Sequence, residues 1–243
     1  MAEVIDRAVL LAAGRGSRMG AITEEIPKPM LPVHGKPLLE HIMDGLAEAG
    51  IRRFLIIVGF QGELIKRHFL NWRLPVEFRT QQPVNGTGTA ARLAREFAGH
   101  APFLLSFGDC LCSAAEYVRC LAILRDNPAT AAVLAAKDVE DPWLGAAIYE
   151  QNGRISRILE KPPKGTSTTR WGSAGFYGFR PVIFEYLEKL TPSVRNEYEI
   201  TSAFEMMLAD GLELRISLVE GDWRDVGRPE DLAAAQAAPC DQK

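Results

Sequence analysis

A short apolar run, Ala8 to Leu11, empties into Ala12-Ala13-Gly14-Arg15-Gly16-Ser17-Arg18-Met19, and this junction limits the choice of fold more than any other segment. The run reads as a buried strand. The two glycines let the backbone lie against a ligand with no Cβ between them, and successive N–H groups in such a turn make a concave anion site. Arg15, Arg18 and Lys28 gather positive charge at the same strand end. That combination suits a polyanion, above all a nucleoside triphosphate. Two commoner phosphate motifs are excluded. Counted from Gly14, the third glycine of Gly-x-Gly-x-x-Gly falls on Met19, and no lysine lies between Gly14 and Gly20 to complete a Walker A loop. A glycine turn alone could equally be a plain β-turn. Pro27-Lys28-Pro29 argues for more, because flanking prolines fix φ and disfavour helix, which predicts Lys28 on a stiff extended segment.

Apolar runs alternate with helical patterns along the chain, which predicts βα units. The expected fold is α/β: a single-domain, Rossmann-like, three-layer structure on a mostly parallel mixed sheet. Pro37 opens a helix in which Leu38, Leu39, Ile42, Met43, Leu46 and Ala47 recur at helical spacing, and Gly50 stops it. Phe54–Val58, Val76–Phe78 and Phe103–Phe107 read as strands, Glu63–Leu70 and Ala90–Phe97 as helices, and Gly86–Thr89 as a loop. In the second half, Gln151-Asn152-Gly153 predicts a hairpin between Gly145–Tyr149 and Arg154–Leu159. Strands follow at Ser173–Phe179 and Glu213–Val219, with helices at Pro181–Leu190, Thr201–Ala209 and Pro229–Ala237. Residues 162–170, rich in Pro, Gly, Thr and Ser, read as a mobile loop.

Composition removes several classes of function. Lys+Arg number 28 against 31 Asp+Glu, so the net charge of −3 gives no basic field for nucleic acid, and phosphate-binding charge must be local. No apolar run approaches the ~18 residues of a membrane span. The start, Met-Ala-Glu-Val-Ile-Asp-Arg, lacks the pattern of a signal peptide, so a cytoplasmic protein is expected. The spacing of Cys110, Cys112, Cys120 and Cys240 does not fit zinc, and they read as packing residues or idle thiols. His34, His41, His68 and His100 are scattered, and His41 falls on a helical apolar pattern.

The stretch Leu10-Leu-Ala-Ala-Gly-Arg-Gly-Ser-Arg-Met19, followed by Pro27-Lys28-Pro29-Met30-Leu31-Pro32-Val33 and Gly35-Lys36-Pro37-Leu38, resembles the signature of the sugar-phosphate nucleotidylyltransferases, in particular glucose-1-phosphate uridylyl- and thymidylyltransferases. Further blocks match in the family's order. They are Gln81 with Gly86-Thr87-Gly88-Thr89-Ala90, Phe107-Gly108-Asp109, Glu160-Lys161-Pro162, Ala174-Gly175-Phe176-Tyr177, Arg195–Thr201 and Trp223–Leu232. The resemblance implies one nucleotidylyltransferase domain over residues 1–243, with a nucleotide-binding half at about 1–135, a sugar-binding portion at about 136–220 and a C-terminal helix at about 229–238. The chain stops at Lys243, so no appended β-helix acyltransferase domain is expected.

The implied reaction is attack of a sugar 1-phosphate oxygen on the α-phosphorus of a nucleoside triphosphate, with release of pyrophosphate. Such chemistry needs positioning and charge stabilisation more than covalent help. Asp109 ends a central strand and Asp225 follows a distant one. Singly, each reads as a turn residue or helix cap; together they suit Mg²⁺, which takes hard oxygen ligands. Family positions give Arg18 and Lys28 as catalytic, with Arg15 and Arg18 on the β- and γ-phosphates and Lys28 on the α-phosphate. Leu11, Ala13, Gly14, Arg15, Gly16, Gln81, Gly86 and Thr87 fall at nucleotide-binding positions, and Gly145, Glu160, Lys161, Gly175 and Arg195 at sugar-phosphate positions. Thr87 reads alternatively as a cap. Lys36 reads equally as a residue near a helix start and is not assigned. Asp222 reads as a turn residue and Asp231 as part of the last helix's first turn. Leu144 stands where many relatives carry an aromatic. UTP is the favoured donor, with dTTP and CTP as alternatives. Another phosphorylated acceptor, or a non-catalytic nucleotide-sugar sensor on the same fold, is a competing reading. Homo-oligomerisation is left open.

Overall fold

A computed structural model describes residues 4–238. Strand β1 (Arg7–Ala12) runs into the glycine turn, and 3₁₀ segments follow at Ser17–Thr23 and Lys28–Met30. A small ribbon, β2 (Pro32–Val33) with β3 (Lys36–Pro37), delivers the chain to α1 (Leu38–Glu48). Next come β4 (Arg53–Val58), α2 (Gly62–Phe69), β5 (Val76–Thr80), α3 (Thr87–Arg92), α4 (Arg95–Ala98) and β6 (Phe103–Phe107). A short strand β7 (Cys110–Cys112) precedes α5 (Ala114–Asp126) and β8 (Thr130–Asp138). The 3₁₀ turn Pro142–Leu144 leads to the hairpin β9 (Ala146–Gln151) and β10 (Arg154–Glu160), then β11 (Trp171–Phe179). Helices α6 (Ile183–Leu187) and α7 (Ile200–Ala209), strands β12 (Glu213–Leu218) and β13 (Trp223–Asp225), and α8 (Pro229–Ala237) follow.

Nine strands form one sheet in the order β5-β4-β1-β6-β11-β8-β12-β10-β9. β5, β4, β1 and β6 are parallel; β11 lies antiparallel to β6 and β8; β12 is parallel to β8; β10 is antiparallel to β12 and β9. Following those pairings, only β11 and β10 oppose the other seven, so the sheet is mixed with a dominant direction. Val9 packs with Leu55, Leu105 and Phe204 on one face, while Ala8 and Leu10 pack with Leu39, Ile42 and Phe176 on the other. A strand covered on both faces reads as a continuous apolar run, which is why β1 shows no alternation in the sequence. Helices α3, α6 and α7 cover the first face and α1, α2 and α5 the second, which completes the three layers. All six apolar positions picked out in α1 are buried.

Several local expectations are corrected. Lys28 sits in a tight 3₁₀ turn, and the extended residues are those flanking the turn, Pro27 (φ −63°, ψ 141°) and Leu31 (φ −63°, ψ 131°). The Gly86–Thr89 stretch is no loop beyond Gly86: the helix begins at Thr87, and it divides at Leu93–Ala94 where one continuous helix was expected. α6 is shorter than Pro181–Leu190. The hairpin turn is as expected, with Asn152 and Gly153 both at positive φ (53° and 77°) as a type I′ turn requires. Among the described residues, no helix is long and apolar enough to cross a membrane.

Candidate active site

The carboxyl ends of β1 and β6 lie side by side, with Leu11 opposite Phe107, so the glycine turn and Gly108-Asp109 emerge at the same edge of the sheet. Open α/β sheets bind ligands at that edge. The turn closes through Met19 N donating to Gly16 O (2.8 Å) and Thr23 Oγ1 donating to the same carbonyl (3.1 Å). Gly16 has φ +66°, and a Cβ there would come within 2.8 Å of Lys28 Cβ. This glycine therefore lets the lysine stem lie flat on the turn. The Arg15 guanidinium covers the Phe60 ring (5.2 Å), and Arg18 has no carboxylate partner within 4 Å among the described residues. Lys28 is 7% exposed at its side chain, and its Nζ lies 2.5 Å from Asp109 Oδ2.

Asp225 arrives from the far end of the sequence through a ribbon of two three-residue strands. β13 pairs antiparallel with β7, which sets Asp225 opposite Cys110. Val226 N donates to Asp109 O (3.0 Å) and locks the two acids together. Ligand atoms of Asp109, Cys110 and Asp225 lie within 4.8 Å of one another. Asp225 faces the cleft, yet surrounding protein desolvates its carboxyl, and with the Asp109 charge this raises its pKa to about 6; Lys28 and Arg18 oppose the rise. Two crowded carboxylates with two nearby cations form a donor set suited to a hard divalent ion that keeps part of its water and phosphate shell. Magnesium fits. The Cys110 thiol does not, because burial and the two acids push its pKa well up and keep it protonated. It acts as packing instead: a Cβ at Gly175 (φ +80°) would lie 2.5 Å from Cys110 Sγ. A bulge in β11, with three residues between Ser173 and Tyr177 against one on β8, brings Gly175 to that contact.

The base-side wall is braced from behind. Gln81, 5% exposed, donates through Nε2 to Gly86 O (2.9 Å) and Thr89 Oγ1 (2.9 Å). Both amide hydrogens are then committed, and Oε1 is the group left for a ligand. Thr89 donates in turn to Asn85 Oδ1 (2.7 Å). Thr87 does not cap its own helix; its Oγ1 accepts from Ile200 N (3.0 Å) at the start of α7. Gly88 N bonds Tyr198 O (2.8 Å) and Tyr198 N bonds Asn85 O (2.9 Å), so the segment before α7 straps the loop down. Gly86 sits under this strap at φ +136°, where a Cβ would be 2.3 Å from Tyr198 O and 2.6 Å from Tyr198 N. Backbone on both sides cannot yield. Gly86→Ala is expected to lower the unfolding free energy by roughly 2–4 kcal/mol, from strain plus overpacking. Urea denaturation checks this, and a variant as stable as wild type would mean that the strap does not grip the loop.

Across the cleft, Glu160 accepts from Thr201 Oγ1 (3.0 Å) and pairs with Arg195 Nη2 (3.4 Å). Burial, then the Glu199 charge, raises its pKa, against the hydrogen bond from Thr201 and the charges of Arg195 and Lys161. Lys161 is exposed at φ +41°, its N–H donates to Gly145 O (2.8 Å), and it has no carboxylate within 4 Å among the described residues. Trp223 Nε1 donates to Ala174 O (2.8 Å) and steadies the approach to Gly175.

Every residue assigned to the site from the sequence lines one cleft of about 570 Å³, from Leu11 and Gly14 through Gln81 and Asp109 to Glu160, Arg195 and Asp225. Lys36 is elsewhere, paired with Asp44 (2.5 Å). Asp231 caps α8 by accepting from Gly227 N (3.1 Å) and Arg228 N (2.8 Å), and His41 bonds Val33 O (2.8 Å). Cys112 and Cys120 are free thiols, and Cys240 lies outside the described residues. Sequence reasoning missed Asn85, Ser173, Tyr177, Glu199 and Thr201 as cleft residues. Glu199 and Thr201 were within reach, because they stand in the same Arg195–Thr201 block.

An α/β sheet with a glycine turn, a buried lysine and paired acids at its carboxyl edge defines a class built to handle phosphorylated nucleotides. The chain belongs to the nucleotidyl transferase family, whose model matches residues 7–242. It is 33% identical over 242 residues to the low-salt glycan biosynthesis nucleotidyltransferase Agl11 of Haloferax volcanii, covering 98% of this chain and 67% of that relative. It is 32% identical over 238 residues to the UTP–glucose-1-phosphate uridylyltransferase AglF of the same organism, covering 95% of each. It also matches the bifunctional protein GlmU of Methanococcus maripaludis at 33% identity, spanning about half (53%) of that longer protein. A UDP-glucose pyrophosphorylase solved with UDP-glucose superposes with a TM-score of 0.86 at 24% identity, covering 96% of this chain and 97% of that one, a likeness of fold.

Proposed function

We propose that this protein transfers a nucleotidyl group from a nucleoside triphosphate, UTP in the first instance, to a hexose 1-phosphate. The products are a nucleotide sugar and pyrophosphate. The observation that carries the reading is the Asp109–Asp225 pair, set beside Lys28 and between the glycine turn and the Glu160–Arg195 wall. The likeness to AglF over nearly its whole length supports a sugar 1-phosphate acceptor and a uridine donor.

In this reading the nucleoside lies against Gln81, Gly86 and Thr87, and its triphosphate runs along Leu11, Ala13 and Gly14 to Gly16. Arg15 and Arg18 hold the β- and γ-phosphates. Bound Mg²⁺, held by Asp109 and Asp225, supplies charge neutralisation at the phosphates. Gly145, Glu160 and Gly175 take the sugar ring, and Lys161 and Arg195 its phosphate. One acceptor phosphate oxygen attacks the α-phosphorus in line: a new P–O bond forms, the α–β anhydride bond breaks, and pyrophosphate leaves. Lys28 steadies the charge that develops on the α-phosphoryl oxygens. Residues of about 1–135 thus serve the nucleotide and about 136–220 the sugar.

A pyrophosphate-release screen over four nucleoside triphosphates and several sugar 1-phosphates, with Mg²⁺ added, tests this. Silence for every pair would leave a non-catalytic binding protein. A non-sugar phosphate outpacing all sugar 1-phosphates would remove the acceptor class. Within the active pair, Lys161→Ala is expected to raise KM for the sugar phosphate about 10–100-fold, the worth of one charge-assisted hydrogen bond. The nucleotide KM should stay within about twofold because Lys161 stands apart from the glycine turn. Saturation curves varying each substrate decide it; equal damage to both would displace Lys161 from the sugar side.

A further inference from the structure

Arg195 enters the cleft with its fork unevenly used. Nη2 lies 2.5 Å from Glu199 Oε1, with Glu160 (3.4 Å) and Glu197 (3.6 Å) farther off. Nη1 is buried and has no hydrogen-bond partner among the described residues. The side chain as a whole is 30% exposed and lines the cleft, where its charge is open to a ligand. A guanidinium is planar and rigid, so gripping Nη2 fixes the plane of the whole group.

The grip itself is anchored. Glu199 is 8% exposed at its side chain, and Ser193 Oγ donates to the same Oε1 (3.1 Å). Arg195 N donates back to Ser193 Oγ (3.2 Å), and Asn196 N to Ser193 O (2.8 Å), which closes a tight turn around the pair. One residue on, Ile200 N is held by Thr87, so Glu199 is fixed at the mouth of α7. Glu160 is engaged with Thr201 and suits sugar hydroxyls; Glu199 spends its charge on the arginine.

We propose that Glu199 is a positioning residue that holds the Arg195 guanidinium in the cleft wall, so that its exposed edge meets an anionic oxygen of the acceptor's phosphate. The proposal rests on the sugar-phosphate reading above. Its test is a double-mutant cycle read in steady-state kinetics. Glu199→Gln keeps the shape but loses the charge, and is expected to raise KM for the sugar 1-phosphate about 10-fold, with kcat and the nucleotide KM changed less than about threefold. Arg195→Ala should raise the same KM at least as much. If Glu199 acts through Arg195, the double variant will be no worse than Arg195→Ala alone. Additive losses would mean that Glu199 meets substrate by itself, and would overturn the proposal. A normal KM in Glu199→Gln beside a damaged Arg195→Ala would overturn it too, while leaving the sugar-phosphate reading intact. A normal KM in Arg195→Ala would remove both Arg195 and Glu199 from the phosphate. Should Glu199→Gln fold poorly, Ser193→Ala loosens the same grip and is expected to raise that KM about threefold; no rise there would count against the proposal.

Discussion

Asp109→Asn and Asp225→Asn are each expected to cut nucleotidyl transfer by at least about 10²-fold, the loss that follows when a hard metal loses an anionic ligand and its orientation. Chelator should silence the wild-type protein in the same way. Their effects on stability should differ, and the difference is diagnostic. The Asp225 carboxyl is held up at about pH 6 by desolvation and by Asp109, so the folded state prefers it neutral. An acid whose folded pKa is raised destabilises the fold above its unfolded value near ~4, and the penalty is fully present once pH passes the folded pKa. At pH 7 the amide removes that penalty, so Asp225→Asn should melt at or above the wild-type temperature. Asp109→Asn instead strips the 2.5 Å partner from a lysine that is almost wholly buried. Leaving one half of a buried pair is strongly destabilising, and that variant should melt lower. Thermal melts and pyrophosphate release on both proteins check it. Full turnover in chelator, or in either variant, would sink the metal assignment; a lower melt for Asp225→Asn than for Asp109→Asn would sink the electrostatic account.

The cleft was legible because its chemistry is written in short blocks whose residue types have few other uses. Gly16 and Gly86 each sit at positive φ against another chain segment, which only glycine tolerates, and such positions survive in the sequence as punctuation. What joins the blocks was not legible. Asp109 and Asp225 meet through strands β7 and β13, three residues each and too short to show a period. Lys28 was expected on an extended segment because prolines flank it, but Pro29 is accommodated in the first turn of a 3₁₀ helix, where its missing N–H does no harm. The stretch Ser113–Asp138 hid both a helix and a central strand. β8 reads Thr-Ala-Ala-Val-Leu-Ala-Ala-Lys-Asp, and alanine runs favour helix until burial on both faces overrides them. α5 carries Glu116 on its buried face, 2% exposed, which blurs the apolar stripe; its carboxylate is held by Arg119 (3.0 Å) and Gly221 N (2.9 Å). A partner as distant as Gly221 leaves no local trace. Glu199 escaped for a related reason: its role depends on where the side chain of Arg195 points, and spacing alone does not carry that.

Lys28→Ala is expected to lower kcat by about 10²–10³-fold, the usual loss when one preorganised donor is withdrawn from developing charge, while nucleotide affinity falls far less. The structure gives Lys28 the rigidity such a role needs. Its stem lies on Gly16, its turn is braced by Pro27 and Pro29, and its ammonium is shielded from water beside Asp109. A charge fixed in a poorly hydrated site needs little reorganisation as the phosphoryl oxygens gain charge, so its contribution grows at the transition state. Arg15 and Arg18 lie nearer the solvent-open side of the turn and are better placed to bind the ground state. Lys28 also opposes the mutual repulsion of Asp109 and Asp225, so its loss should push the Asp225 carboxyl higher still and weaken metal loading. Saturating Mg²⁺ separates the two effects, because weakened loading is recovered at high metal and lost transition-state stabilisation is not. Lys28→Arg should rescue poorly, since a planar fork does not reproduce a compact ammonium and the stem has no free room over Gly16. Calorimetric binding of a non-hydrolysable nucleotide, set against kcat at saturating Mg²⁺, decides the matter. If lost nucleotide affinity accounts for the whole defect, Lys28 belongs with Arg15 as a binding residue, and the proposed contact with the α-phosphoryl oxygens must be given up.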